Sequence, residues 1–415
     1  MSATKKQDIV IVGGGLAGGL AALSLARAGL SIALIDAQPP AEMRAGDFDG
    51  RTTALSYACA RVFRRLGLWP AIAPGAEPIR EILVTDGRAK SRFSNGAVSP
   101  LHLHFDSREL KSEEPLGWIV ENRTLRDALW DAVEASPSID LRAPALVESV
   151  SFTPASAEVS LAGGETLAAS LVVAADGKHS RLRRQAGIKV NRWSYAQTGL
   201  VFNVAHERPH KGVAHEFFLP SGPFAILPLT DNRSSIVWTE RADAAPAFLA
   251  LDEAAFLKEV ENRFGDFLGK LRLASPRWSY PLSFHLAQRF IAPRLALIGD
   301  AAHAVHPIAG QGFNLGVKDI AVLVDVVEEA AGLGLDIGGL GPLAKYERWR
   351  RFDSASLAFG MDAMVRLFSN DFPPLRLARD LGMSAVGKIA PLRRFFMRQA
   401  GADLGKLPPL MQAER

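Results

Sequence analysis

The chain has 415 residues, 48% of them hydrophobic, and a formal net charge of +4. Such a length and apolar fraction can build more than one core, so two or three domains are expected. The mild basic excess lacks dense Lys/Arg blocks, which argues against nucleic acid as a partner; the single cysteine, Cys59, excludes an internal disulfide framework and reads as a small buried filler in a reducing compartment.

Lys5 and Lys6 ahead of an apolar run loosely imitate a secretory leader, but Asp8 interrupts it and a second apolar segment follows directly. No stretch reaches the roughly 18 uninterrupted apolar residues of a membrane span, so a cytoplasmic protein is expected, soluble or peripheral at the inner membrane surface. Residues 8–37, DIVIVGGGLAGGLAALSLARAGLSIALIDA, read as strand, glycine turn, Ala/Leu helix and strand. Gly13, Gly15 and Gly18, with Leu16 and Ala17 between the last two, fit G-x-G-x-x-G. In that motif the glycines serve a tight turn, close approach of a pyrophosphate and close helix–strand packing, and the free N–H groups of the helix face the anion. Asp36 closes the second strand, where a carboxylate can accept from a ribose hydroxyl. A dinucleotide site is expected over an ordinary glycine-rich turn; the motif alone does not separate NAD from FAD.

Residues 171–184, LVVAADGKHSRLRR, form another apolar strand ending in Asp176-Gly177, which by itself reads as a turn with a helix cap. Residues 294–319, RLALIGDAAHAVHPIAGQGFNLGVKD, supply a third strand with Gly299-Asp300 at its carboxyl end. Ligands of open α/β sheets lie beyond the carboxyl ends of strands, so Gly15, Asp176 and Asp300 can meet at one edge and grip one extended ligand. Gly310 and Gly312 allow backbone close to a flat ligand, and a helix starting near Gln311 points its N–H groups there. His303 and His306 invite a metal, but Pro307 would interrupt a helix and Asp300 is the lone nearby carboxylate; no metal is expected, and both read as loop histidines, His306 lining a pocket.

Between about 190 and 285 the texture turns to alternating, aromatic-rich segments, as in an inserted sheet. Phe217, Phe224, Ile226 and Leu227 are candidates for the wall of a substrate pocket, or equally for plain sheet core. A helical segment starts near Arg351. The basic amphipathic tail from Pro374 fits either a membrane or partner surface or a helix packed on its own protein.

The three clusters in this order resemble those of the FAD-dependent aromatic hydroxylases, flavoprotein monooxygenases with a fold like that of para-hydroxybenzoate hydroxylase. Residues 306–319, read as H-P-I-A-G-Q-G-x-N-x-G-x-x-D, resemble the signature of the ubiquinone-biosynthesis hydroxylases, and residues 49–69, DGRTTALSYACARVFRRLGLW, resemble the segment that follows their dinucleotide fold. The likeness spans residue 8 to about 350. It implies an α/β protein with a discontinuous Rossmann-like FAD-binding domain (1–70, 100–190 and 285–345), an inserted, mostly antiparallel β-sheet substrate domain (71–99 and 191–284) and a C-terminal helical region (346–415). It further implies that Asp300, after Gly299, holds a ribityl hydroxyl, that Arg51 reaches the FAD pyrophosphate and Arg123 the flavin side, and that Gly310, Gln311, Gly312, Phe313 and Asn314 approach the ring. His306, Pro307 and Gln311 are the flavin-face candidates, and no catalytic side chain stands out. Arg51 has a competing reading as a surface pair with Asp49. The implied reaction takes electrons from transiently bound NAD(P)H and oxygen from O2 to hydroxylate a polyprenylated phenol or quinol in ubiquinone biosynthesis. Competing readings are a flavin-dependent reductase or epoxidase acting on an isoprenoid lipid, and a flavin-bearing scaffold of a lipid-biosynthesis complex; an oligomer is compatible with either.

Overall fold

The computed structural model describes residues 5–45, 50–86, 102–110, 114–368 and 386–413. The first apolar run forms the strand Lys5–Val12, whose Ile9, Val10 and Ile11 are fully buried, as expected of a parallel strand covered on both faces. Ile32–Ile35 and Thr166–Ala174 flank it, and Ile139–Arg142 and Leu295–Leu297 extend the parallel array on either side. Antiparallel strands Ile291–Ala292, Val147–Phe152 and Ala157–Leu161 complete a sheet of eight among the described residues. The helix Leu16–Arg27 packs against both Asn122–Ala135 and the long helix Gln311–Gly332. Cys59 is buried in this core, beside Asn314.

A second sheet, of nine strands among the described residues, is antiparallel except where Val213–Leu219 runs parallel to Glu81–Asp86. Its spine is the long strand Val190–His206, followed by Val213–Leu219, Gly222–Leu229, Arg233–Arg241 and Trp278–Ala287. The strand His102–Asp106, which the expected division gave to the first domain, pairs with Glu81–Asp86 and so belongs to this second sheet. One face of the sheet packs on the helix Glu253–Phe264, burying Phe202, Phe224, Ile226 and Trp238 against Phe256 and Val260. A small sheet of Thr52–Ser56, Ala76–Ile79 and Gly117–Glu121 stands between the two larger ones. The helix Leu340–Phe368 packs on Gln311–Gly332, and Ala390–Ala400 follows as a separate short helix.

A buried ionic knot fixes the end of the strand Leu295–Leu297. Asp319, fully buried one third of the way along its helix, accepts the Gly299 N–H at 2.9 Å and His303 Nε2 at 2.7 Å on one oxygen, and Arg350 Nε at 2.8 Å on the other. Arg350 is itself fully buried and also reaches Asp353 at 2.5 Å and Ser354 at 3.0 Å. Burial alone would raise the Asp319 carboxyl; His303 and Arg350 outweigh it and hold the group below the ordinary carboxylate range. Its stabilisation is therefore complete above the unfolded-state pKa of about 4 and is lost as pH falls through the lower native value. Asp319→Asn leaves the Arg350 guanidinium without its main partner, and urea unfolding at pH 7 is expected to show a loss of about 3 kcal/mol that shrinks toward acid pH.

Candidate functional site

The carboxyl ends of three parallel strands converge. Ala175 N–H donates to Val12 O at 2.8 Å and Ile298 N–H to Ala174 O at 3.1 Å, which sets the turns after residues 12, 174 and 297 side by side. Gly13 has φ +103°, and a Cβ there would stand 2.4 Å from Ala175 O; a Cβ on Gly18 would stand 1.7 Å from Gly13 O. These two glycines are required by the protein itself. Gly15 is different: its missing side chain faces open space, with nothing within 4 Å. The turn at Gly299 reaches the same place, since its Cβ would meet the Cβ of Ala17 at 3.2 Å, beside Leu16 at the helix start.

The polar groups at this edge are part anchored, part unsatisfied. Asp36 takes the Gly14 N–H at 2.5 Å and the Gln38 N–H at 2.8 Å, one on each oxygen, leaving lone pairs for a hydroxyl. Asp176 caps the helix Arg181–Gln185 through Oδ2, at 2.7 Å from Arg181 N, so the helix-cap reading holds; yet its buried Oδ1 has no partner among the described residues. Asp300 lies open to the cleft but ringed by protein, and that desolvation raises its carboxyl pKa, opposed by His303, Arg51 and Lys178. Arg51 is exposed, near the Tyr280 ring, and within electrostatic reach of Asp300; Asp49, its alternative partner, lies outside the described residues. Lys178, which the sequence did not single out, bonds Ser283 at 2.5 Å and adds positive charge here. Arg123 points elsewhere: Nε donates to Glu121 at 2.7 Å, and the second Glu121 oxygen takes Arg233. A room-giving glycine, an orphaned carboxylate oxygen, two cations and a helix N-terminus along one edge fit an elongated dinucleotide such as FAD.

The second glycine cluster continues this cleft. Gly310 caps the helix Gln311–Gly332 with φ +61°, and a Cβ there would strike the Cβ of Ala54 at 2.6 Å; the Gly312 position faces open space. Two residues expected at a ring do other work. Asn314 accepts from Ser56 N at 3.0 Å and donates to Ala54 O at 2.8 Å, clamping the strand Thr52–Ser56 to the turn. Phe313 leans toward Phe63 in the core, ring centroids 6.4 Å apart. Gln311 lines a cavity and donates to Ala400 O at 3.2 Å, tying the turn to the C-terminal helix. His303 is consumed by Asp319, whereas His306 lines the cavity beside Pro307. Burial drives its pKa down to about 4, and its Nε2 has no partner among the described residues.

That cavity, about 680 Å³, lies between the second sheet, the turn 306–311 and the C-terminal helices. Of the four wall candidates only Leu227 lines it. Phe217, Phe224 and Ile226 face the Glu253–Phe264 side instead. Side chains alternate along a strand, so the cavity face of these strands carries the other parity: Ala214, Glu216, Phe218, Pro223, Ala225 and Leu227. Glu216 is a residue sequence reasoning missed, and its one available signal was a carboxylate set in an apolar strand.

Residues 6–331 match the family model described as an FAD binding domain. The chain is 46% identical to ubiquinone hydroxylase UbiL of Rhodospirillum rubrum over 410 residues, covering 98% of this chain and 93% of that protein. It is 36% identical to the 3-demethoxyubiquinol 3-hydroxylase of Escherichia coli, covering 95% and 98%. Among solved structures, p-nitrophenol 4-monooxygenase PnpA from Pseudomonas putida superposes with a TM-score of 0.79 at 19% identity over 97% of this chain and 100% of that one, a likeness of fold. With its glycine turns, its convergent strand ends and these relatives, the chain belongs to the family of FAD-dependent monooxygenases that includes the ubiquinone hydroxylases.

Proposed function

We propose that this protein hydroxylates the aromatic ring of a polyprenylated phenol or quinol in ubiquinone biosynthesis, using FAD, NAD(P)H and O2. The observation that carries this reading is the large apolar cavity that opens onto the turn 306–311, at the far end of the dinucleotide edge. Its walls of Leu, Ile, Val, Phe and Met suit an isoprenoid chain, and the names of the relatives supply the ring chemistry. When bound, FAD supplies the redox chemistry that passes electrons from NAD(P)H to O2 and delivers one oxygen atom to the ring.

The chain's own part is binding and exclusion. Gly15 leaves room for the pyrophosphate, and the Leu16–Arg27 helix start offers it N–H groups. Asp300 accepts a ribityl hydroxyl, and the N-terminus of Gln311–Gly332 faces the ring edge that gains negative charge on reduction. The apolar walls of the cavity disfavour water at the reacting centre. In this division of labour the first sheet serves the cofactor and the second sheet, with the C-terminal helices, the substrate.

A second feature bears on where the substrate comes from. Phe352, Phe359, Met364, Ile389, Phe395 and Phe396 are exposed on the C-terminal helices, with Lys388, Arg394 and Arg398 near them, and Met364 and Phe396 also line the cavity. Among the described residues no helix is long and apolar enough to cross a membrane. We infer a peripheral contact with an anionic lipid surface through these exposed apolar side chains.

Three measurements test these readings. Gly15→Val fills the open space and Asp300→Ala removes an acceptor; each should lower FAD affinity about tenfold or more, measured by equilibrium dialysis of the yellow protein, and full retention in both would take the cofactor away from this edge. A short-chain prenylphenol should stimulate NAD(P)H oxidation and leave a product with oxygen on the ring. An epoxidised or saturated chain would select the reductase or epoxidase reading, and unstimulated oxidation the scaffold. Finally, the protein should cosediment with phosphatidylglycerol vesicles and lose most of that binding in Phe352→Ser/Phe395→Ser; equal sedimentation of the variant would remove the patch from the interface.

A further inference from the structure

Glu216 stands alone in the cavity. Among the described residues that line it, no other is a carboxylate, a lysine or an arginine. Its neighbours across the sheet are Val84 and Ala225, and the C-terminal helices face it with Leu357, Met361, Met364, Phe396 and Met397. The nearest titratable groups do not serve it. His215 also borders the cavity, but its ring lies with Phe217, stacked, and with Phe267, tilted, on the other parity of the strand, and His306 is held neutral across the cavity. On the adjoining strands Glu81 pairs with His104 and Asp106 with Arg108, and Asp362 on the long helix takes Trp193. Glu216 has no hydrogen-bond or ion-pair partner among the described residues, and an ionisable group in apolar surroundings with no partner is costly to the fold.

Its place along the strand points to a use. Ala214, two residues before, packs in the cluster that holds Ala54, the residue against which Gly310 is pressed. Phe218, two residues after, packs on Ile308 of the same turn. Side chains 214, 216 and 218 share one face, so Glu216 lies on the wall that looks toward the turn at the flavin end of the cavity.

We propose that Glu216 receives the ring hydroxyl of the substrate, accepting its O–H in a hydrogen bond and taking its proton as the ring is oxygenated. The proposal rests on the hydroxylase reading above. As the ring carbon bonds to the incoming electrophilic oxygen, the phenolic O–H bond breaks; its proton passes to a Glu216 carboxylate oxygen, and its electron pair moves into the ring, leaving a ring ketone. Loss of the proton from the newly oxygenated carbon to solvent restores aromaticity, and the ring oxygen recovers a proton from Glu216. The cavity assists this exchange. Desolvation without a compensating charge pushes the Glu216 carboxyl up to about 8, far closer to a phenol near 10 than an ordinary glutamate at about 4.3. A base matched in this way shares a proton efficiently in a transition state.

The test uses the full-length, FAD-loaded protein with 2-farnesylphenol and its methyl ether as probes. Binding is followed without reductant at pH 8.5 by perturbation of the flavin absorbance. The wild type should prefer the phenol over the ether about tenfold, and Glu216→Leu should abolish that preference; a preference retained in Glu216→Leu overturns the proposal. Glu216→Gln keeps a hydrogen-bonding group but cannot take the proton. It should bind the phenol within a few-fold of wild type, lose about 100-fold in kcat, and lose the rise of activity with pH toward 8. A wild-type pH profile retained in Glu216→Gln also overturns it. A readout independent of turnover is thermal melting of the same proteins. A carboxyl whose pKa is raised on folding destabilises the native state as pH climbs from the unfolded value through about 8, so the advantage of Glu216→Gln over wild type should grow from pH 5 to pH 8. An advantage that stays constant with pH removes the premise. Failure of the hydroxylase reading looks different: the phenol preference would persist in the wild type while no ring-hydroxylated product forms.

Discussion

The site depends on a buried carboxylate that is not itself aimed at any ligand. Asp319 binds the backbone of Gly299, the ring of His303 and the guanidinium of Arg350 at once. An ion taken out of water is costly unless its attraction to partners and its hydrogen bonds offset desolvation, and here both oxygens are engaged and the cation opposite is itself bonded to Asp353 and Ser354. The arrangement joins the turn that carries Asp300 to two helices that pack elsewhere in the core. The Gly299–Asp300 turn is therefore held from behind, which frees the Asp300 carboxylate to face the cleft. A turn held by backbone contacts alone would leave that carboxylate free to wander.

Glycine does two separate jobs around this cleft. At Gly13, Gly18 and Gly310 a methyl group would collide with Ala175, Gly13 and Ala54, so these positions are dictated by how closely the chain packs on itself. At Gly15 and Gly312 nothing stands within 4 Å, and a side chain would intrude only on a ligand. The first kind brings strand ends and helix starts together; the second keeps the space they enclose open. A motif written as a row of glycines merges both roles, and substitution separates them because one kind acts on folding and the other on binding.

Much of this was legible in the sequence because its signals are local. A β-branched run, a glycine turn and an Ala/Leu helix announce a parallel strand and its crossover wherever they fall, and the rule that ligands lie at strand carboxyl ends predicted that residues 15, 176 and 300 would meet. What depended on distant partners was not legible. Asp319 and Arg350 are separated by 31 positions with no periodic signal between them, so the signature aspartate could be recognised but not explained. Asn314 and Phe313 sit within the flavin-proximal motif, yet their side chains turn to Ala54, Ser56 and Phe63, contacts that only the folded small sheet creates. For Phe217, Phe224 and Ile226 the strands were read correctly but the face was left open between pocket wall and sheet core, and the structure puts them in the core. Period two says which residues share a side, and only the position of the Glu253–Phe264 helix says which side is core. Large aromatics drew attention because they bury well, but they lie on both faces: Phe224 and Trp238 pack on the helix, while Phe218 lines the cavity.

The same choice of walls that makes the cavity hospitable to an isoprenoid also determines what Glu216, the one carboxylate among its described lining residues, can do. Water supplies the hydrogen bonds and dielectric that keep an ordinary glutamate acidic; walls of Ile79, Val84, Leu227 and Met361 remove both, and the proton affinity of Glu216 rises in consequence. A charged partner nearby would pull that affinity back down and return the group to an inert ion pair, like the Glu121–Arg123 contact outside the cavity. Shielding of the reacting centre and tuning of the base thus come from a single cause, the exclusion of water by apolar side chains. The Gln311–Ala400 bond extends that coupling to the C-terminal helix, because it ties a wall of the chamber to the residue that opens the helix Gln311–Gly332.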